Sequence, residues 1–514
     1  MKDIIFKPDE IGNVPDVYEA VRKKARKSDI RIVKHFIDAR HKNDVKVIYR
    51  IDEGDSDSED LEALALPYLG RRFSCENRPV IVGFGPAGMF CALILARYGL
   101  NPIVIEKGKP VDQRSADVEL YKEKGTINPS SNIQFGEGGA GTFSDGKLYT
   151  GVTSGLKGFI GQIMVKYGAP EDILFDSHPH VGTDYLVNVV KGIREEIIAL
   201  GGEIRFSEEF KEIGYHPYSR PERVEVAITD KEYLRTDTLI LALGNSSREF
   251  IRDNYKGLMI ESKPFAIGVR IEHLRADIDK AMYGFDTAKY KNICAANYKL
   301  AVDTNTGKKL YTFCMCPGGE VVPSASFANS ICTNGMSYRA RDNMNSNSAL
   351  LVPFDPKEVS DHPLAGMMLQ NMLEMNAFKL AGSTGNAPFM TYGDLKAGKS
   401  GCSSTVVKPT YRPGTVPCDL SELFYDEITE TIREGISIMG RKIRGFDSDS
   451  AVLTAPETRS SSPVRIPRNR ETFEHISCKG LYPIGEGAGY AGGIMSSAID
   501  GIKCANQVAQ SMLN

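Results

Sequence analysis

The stretch that most narrows what this chain can fold into is "RPVIVGFGPAGMFCALILARYGLNPIVIEKG", residues 78–108. It reads as strand, glycine turn, helix, turn and strand within about thirty residues, the length of one βαβ unit. In that setting Gly83 permits the tight turn after the strand, Gly85 lets the backbone approach a pyrophosphate, and Gly88 allows close helix-to-strand packing. Pro86 and Ala87 open the helix, whose N-terminus then faces phosphate charge. Glu106 ends the second strand 18 residues after Gly88, where its carboxylate can accept hydrogen bonds from an adenosine ribose and would repel the extra phosphate of NADP. Lys107 joins it in the expected contact set. Arg114 follows closely enough to reach the pyrophosphate, with an ordinary surface position as the alternative.

The rest of the chain chooses between the two common dinucleotides. An NAD domain is contiguous, whereas here nucleotide-site grammar recurs at distant places. A helical "TDYLVNVVKGIREEIIAL" leads into "GGEIRFSEEFKEI" (201–213), with Phe210 expected at the cofactor. "TDTLILALGNSS" (236–247) is a buried strand ending in Ala242, Leu243 and Gly244, small enough at the turn to lie beside a cofactor. Near the C-terminus, "GLYPIGEGAGYAGGIMSSAIDGIKCANQVAQSML" gives a strand, a glycine turn carrying Gly485 and Glu486, and a long amphipathic helix starting after Gly492 and Gly493 with Ile494 and Met495. Such a helix start offers N–H groups and positive potential to the flavin N1/O2 edge. Both glycine runs would then serve one long cofactor, FAD.

The spacing of these three motifs resembles the glutathione-reductase-like FAD superfamily, which usually carries Gly-Asp at the ribitol where this chain has Gly485-Glu486. "FGEGGAGTFSDGKL" (135–148), "PHVGTDYL" (179–186), "CMCPGGEVV" (314–322), "TNGMSYRARD" (333–342) and "FIDARHK" (36–42) narrow this. Together they resemble the bacterial FAD-dependent, or NAD(FAD)-utilising, dehydrogenases along nearly the whole chain. The resemblance implies FAD binding and a small N-terminal domain, and leaves the substrate open. The disulfide reductases of the superfamily carry a second contiguous GxGxxG unit and a CxxxxC or CxxC pair, neither of which is present. NAD(P)H, as a transient electron donor, would bind without a Rossmann domain of its own.

Within "GEGGAGTFSDGKL", glycines 138, 139 and 141 with Ala140 and Thr142 allow backbone to run against a flat ring or phosphate. Ser144 and Asp145 follow, and Lys147 could stabilise negative charge. Cys314 and Cys316, one residue apart, would point to the same face of a strand. They read as packing beside the site, with dithiol relay or nucleophilic attack as the alternative. His178 and His180, flanking Pro179, read as turn residues or as an acid–base pair. The role of His273 is open. The catalytic residues are not fixed by these patterns, so Cys314, Cys316, Lys147 and His178 stand as candidates. No HExxH, Walker A or GxSxG sequence occurs, and Cys314/Cys316 is the only close cysteine pair, so no metal site is expected.

The 514 residues imply several cores, and 41% hydrophobic and 25% charged residues with a net charge of -3 fit a globular chain. The expected fold is α/β: a discontinuous Rossmann-like FAD-binding domain (77–255 and 450–514), an inserted mixed α/β substrate domain (256–449) and a small N-terminal α/β domain (1–76) whose unit at 3–50 is followed by the acidic linker "DEGDSDSED" (52–60), read as an exposed boundary. No apolar run has the length of a signal or membrane segment, and ten scattered cysteines suit a reducing compartment, so a cytoplasmic protein is expected. The function read from these features is an oxidoreductase moving hydride between flavin and a small molecule. Eleven Lys or Arg against three Asp between Val21 and Arg50 keep an RNA-modifying flavoprotein as an alternative. An FAD-binding sensor or assembly protein without turnover is the other. The oligomeric state is not encoded in any of these patterns.

Overall fold

The computed structural model describes residues 1–52, 60–143, 146–216, 222–400 and 406–513. Most of the acidic stretch, and Ser144 and Asp145, lie outside the described residues. Five short strands form a wholly parallel sheet in the order Leu481–Pro483, Leu239–Leu241, Val80–Val82, Ile103–Glu106, Glu203–Phe206. Runs such as Val-Ile-Val and Leu-Ile-Leu are buried throughout, as strands covered on both faces must be. Strands from residues 80–241 and a strand at 481–483 therefore share one sheet.

One face of this sheet is covered by Pro86–Arg97 and Ile494–Ser511, two helices that cross at close range. Their contact has no room for a side chain: a Cβ on Gly501 would lie 2.1 Å from the Ala87 carbonyl oxygen. Residues expected in the N-terminal domain join this core. Ala65 and Leu66 are buried in it, the Ser74 N–H donates to Met512 O at 2.9 Å, and Asn506 Nδ2 donates to Ala65 O at 3.1 Å. The boundary expected at 76/77 therefore moves back to the acidic stretch, because the segment after it pays its apolar surface into the nucleotide domain.

The inserted region is built on a seven-stranded sheet in the order Ala301–Asp303, Lys309–Cys316, Asn345–Phe354, Phe265–Leu274, Val452–Glu457, Ala387–Thr391, Thr415–Pro417. All pairs are antiparallel but the last. Along Phe265–Leu274 the period of two is clear: Phe265, Ile267, Val269 and Ile271 enter the apolar core, while Arg270 and Glu272 take alternate positions and are also buried. Val452–Glu457 is an inner strand here, so the expected boundary at 449/450 moves past it. The N-terminal unit is a three-stranded antiparallel sheet with the helix Val17–Ala25. Its edge strand Arg31–Asp38 docks on the neighbouring segment, His35 N–H donating to Phe175 O at 2.7 Å and His35 O accepting from Ser177 N–H at 2.9 Å. Several of its basic side chains are paired locally, as in Arg50–Asp3 and Lys24–Glu10.

Candidate functional site

At the C-terminal end of the parallel sheet Gly83 takes φ +99°, and a Cβ there would lie 2.4 Å from the Ala242 carbonyl oxygen. Only glycine lets this turn and the end of the next strand come so close. A Cβ on Gly88 would stand 2.0 Å from the Gly83 carbonyl oxygen, so the first turn of the helix that follows must also hold a glycine there. That helix begins at Pro86 with Gly85 as its cap and no side chain bonding its first turn. Ile494–Ser511 begins in the same way after Gly493. Gly141 lies between the two starts, its notional Cβ 2.9 Å from Ile494 Cγ1 and 3.7 Å from Pro86 Cγ. Gly139 lies against Gly85. Two helix starts, each carrying partial positive charge, thus converge on one glycine-rich loop. Thr142 Oγ1, buried at the end of that loop, has no hydrogen-bond partner among the described residues.

The loop is held from behind. Arg114 is fully buried, and its guanidinium donates to Asn132 O at 2.8 Å, Ile133 O at 2.8 Å, Glu137 O at 2.6 Å and Gly136 O at 3.3 Å. Four main-chain carbonyls occupy this side chain, so it braces the loop in place of the expected reach to a pyrophosphate. Burial lowers its pKa to about 10, against the pull of Glu106 and Glu137. Glu137, which sequence reasoning did not single out, accepts from Val111 N–H and Arg194 Nη1, each at 2.7 Å. Glu106 ties the strand end to both turns: Oε2 accepts from Phe84 N–H at 2.9 Å, and Oε1 from Gly108 N–H at 2.8 Å and Gly136 N–H at 2.9 Å.

A cavity of about 290 Å³ opens beside Gly83, Glu106, Lys107 and Phe210, and its far wall is Phe327, Met367 and Asn371 of the inserted region. This is near the lower end for small-ligand pockets, roughly 300 Å³. Lys107 is paired with Glu209 at 2.9 Å. At the other end of the site Gly485, at φ +73°, donates its N–H to Asp500 Oδ2 at 2.8 Å. Asp500 is in turn paired with Arg468 at 2.6 Å, whose guanidinium stacks 3.9 Å from the Tyr490 ring centroid. Burial pushes the Glu486 carboxyl up to about 7, with Lys263 acting the other way. The turns holding Gly244 and Gly485 touch, since a Cβ on Gly487 would meet Gly244 O at 2.3 Å. Gly492 and Gly493 are exposed, and Met495 is buried. A cavity at the Glu106 end, helix starts in the middle and an open glycine turn at the far end fit an extended dinucleotide.

Not all of the candidates join this arrangement. His178 is exposed and stacks on the exposed Tyr149 ring. His180 is buried, with Nε2 3.2 Å from Tyr338 O, and His273 is buried against Phe446, burial taking its pKa down to about 4. The cysteines do not sit on a regular strand as expected: the register shifts between Phe313 and Cys316, and Cys314 has φ +44°. Both sulfurs nonetheless face Lys147, whose Nζ donates to Cys314 Sγ at 3.8 Å and Cys316 Sγ at 3.5 Å. Arg270, buried behind them, donates to Cys316 Sγ at 3.8 Å, Cys314 O at 2.6 Å, Asn347 Oδ1 at 2.9 Å and Glu457 Oε1 at 3.1 Å. Bordering the cavity, a second buried cluster joins Arg248 and Arg459 to Glu374, at 3.0 and 2.6 Å.

Among the described residues no helix is long and apolar enough to cross a membrane, and no group of His, Cys, Asp and Glu could hold a metal ion. Residues 264–460 match the family model "FAD-dependent protein, C-terminal domain-like". An uncharacterized protein from Clostridium beijerinckii is 42% identical over 500 residues, covering 94% of this chain and 92% of its own. Among solved structures, glycine oxidase from Bacillus cereus is similar at TM-score 0.36 and 12% identity, covering 85% of this chain and 96% of that one. L-proline dehydrogenase from P. horikoshii is similar at TM-score 0.36 and 9% identity, covering 85% and 94%. No activity transfers from likenesses so distant. The inserted-domain match and a clostridial relative aligned along nearly the whole chain show that this protein belongs to the FAD-dependent protein family.

Proposed function

We propose that this protein is an oxidoreductase that binds FAD in an extended form across the end of the parallel sheet and acts on a small molecule held against the inserted sheet. The observation that supports it most is the convergence of two helix starts, at Pro86 and Ile494, on the Gly138–Thr142 loop. In this reading Glu106 receives ribose hydroxyls at the mouth of the cavity, in keeping with the lone-pair capacity a carboxylate has beyond three N–H bonds. The start of Pro86–Arg97 offsets pyrophosphate charge, and Thr142 Oγ1 supplies a further polar contact. Gly485 and Glu486 line the ribitol, and the start of Ile494–Ser511 points its N–H groups at the ring system, an arrangement akin to the glutathione-reductase-like superfamily. FAD supplies the two-electron chemistry once bound. Glu486, with its carboxyl near neutrality, can hold or release a proton at that end of the site. NADH or NADPH would enter as a transient donor over the inserted sheet.

The test is to identify the flavin released from purified protein and then to mix the FAD-loaded protein anaerobically with NADH and, separately, NADPH, following absorbance near ~450 nm. Bleaching by one nucleotide supports a nicotinamide-driven reductase. Dithionite reduction without bleaching by either removes that donor and leaves a substrate-reduced dehydrogenase. Failure to retain FAD at all would overturn the proposal.

A further inference from the structure

Lys147 comes from the segment after the glycine-rich loop, whereas Cys314, Cys316 and Arg270 come from the inserted sheet, so folding alone brings two cations to two sulfurs. The backbone is shaped for it. The bulge between Phe313 and Cys316, with Cys314 at φ +44°, departs from the alternation that would otherwise set these side chains. Holding a non-glycine residue there costs strain, which recurs where side chains are aimed for chemistry. Gly335 makes the space: a Cβ on it would stand 2.4 Å from both Arg270 Nη2 and Asn347 Oδ1. The two sulfurs differ in access, Cys314 being partly exposed and Cys316 fully buried. As a thiol, Cys316 Sγ donates to the Cys314 carbonyl at 3.3 Å, which keeps its sulfur beside its neighbour's residue.

We propose that Cys314 and Cys316 form a redox-active dithiol that exchanges with low-molecular-weight disulfides, a reaction separate from the flavin reading above. A sulfur beside an ammonium or guanidinium is stabilised as the thiolate, the form that attacks a disulfide. The Cys314 thiolate attacks one sulfur of an incoming disulfide RSSR, forming a mixed disulfide and releasing RS⁻, which takes a proton as RSH. Cys316, whose thiolate Lys147 and Arg270 stabilise, then attacks Cys314 Sγ and releases the second RSH. The sum is two protein thiols plus RSSR giving one Cys314–Cys316 disulfide and two RSH. The reverse reaction reduces a small disulfide. Lys147 acts by its charge on both reacting sulfurs and Arg270 on that of Cys316, with neither required to touch the incoming disulfide.

The test equilibrates full-length protein in buffers of reduced and oxidised glutathione, blocks free thiols with a maleimide and maps disulfides by mass spectrometry. The expected result is a reversible Cys314–Cys316 disulfide whose fraction follows the buffer ratio. Cys316→Ser should accumulate glutathione on Cys314, and Cys314→Ser should abolish modification at both positions. Lys147→Gln should slow alkylation of Cys314 about tenfold, with Lys147→Arg restoring most of it. If both thiols stay reduced and unmodified in wild-type protein at every ratio, the proposal is overturned, whatever the variants do. Loss of FAD binding would not bear on it, because the assay reads sulfur alone.

Discussion

Glu374 and Glu457 both lie in the inserted region, almost without exposure and each bonded to arginine, yet their carboxyls titrate in opposite directions. Burial alone would raise Glu374, but Arg248 and Arg459 bring it down to about 2. Both guanidiniums approach it with two nitrogens, and Thr458 Oγ1 adds a bond at 2.6 Å. Glu457 is raised to about 7 by burial, its single arginine offsetting only part of the cost. Arg270 gives Glu457 a single bond at 3.1 Å, its other donors going to Asn347, the Cys314 carbonyl and the Cys316 sulfur, where Glu374 receives four bonds from two arginines. A buried carboxylate gripped by two arginines, each through two nitrogens, is a fixed anion in a lock beside the cavity, even though Arg248 also donates to Gln370 and Arg459 to Ser246 and Ser326. One that shares its arginine with sulfur is left near its own titration, in a cluster that can change charge.

The comparison breaks most visibly if the lock is cut. Glu374→Gln leaves Arg248 and Arg459 buried around a neutral amide, and the expected loss is about 3–5 kcal/mol of unfolding free energy, measured by urea denaturation. Because the folded carboxyl titrates below its unfolded value, its contribution is complete above about pH 4.5 and lost as pH falls toward 2. The variant should therefore lack this part of the acid sensitivity. An unchanged midpoint at neutral pH would mean that the triad is not stabilising relative to the amide.

Glu457→Gln should have a smaller effect with the opposite sign of pH dependence. The folded carboxyl binds its proton more tightly than the unfolded one, so it favours the folded state most below about pH 4.5 and loses that advantage as pH rises through 7. Glutamine mimics the protonated form. At pH 5 the expected change is within about 1 kcal/mol, and between pH 5 and 8 the variant's stability should fall less than the wild type's. Parallel thermal melts across that range check it; curves of equal slope would show that Glu457 is ionised throughout.

The contrast also marks what the sequence could show. The parallel sheet and both glycine turns were legible because each is written in one short window: strand, turn and helix between residues 78 and 108, and again at 481–511. The sharing of Arg270 was not, since its partners Cys316 and Glu457 stand 46 and 187 residues away. Lys147 was singled out and so were both cysteines, but nothing in the spacing joined them across 167 and 169 residues. For Arg114 the sequence offers a reach to pyrophosphate or a surface position and shows neither the burial nor the carbonyls that occupy it, because a fully buried arginine and a surface one look alike in sequence. Both domain boundaries slipped for a related reason. Ala65 and Val452–Glu457 satisfy their surfaces against elements far off in the chain, Asn506 for the first and the strand Phe265–Leu274 for the second, so local composition does not reveal which core they join.

The smallest expected effect sharpens the comparison most, because Lys147 has no counterpart around Glu374. Lys147 is only partly buried and its sulfur contacts are long, so Lys147→Gln should cost less than about 1 kcal/mol. A double-mutant cycle with Cys316→Ser separates the contact from the rest of what the lysine does. A coupling of a few tenths of a kcal/mol or more, in the sense that the serine weakens the effect of losing the lysine, would show the ammonium and sulfur interacting as charges. The same cycle between Arg248→Lys and Glu374→Gln should give a coupling several times larger, since both partners there are ionised and desolvated. If the two couplings came out equal, the distinction between a fixed lock and a chargeable cluster would fail, and the Cys316 sulfur would have to be as fully ionised as the Glu374 carboxylate.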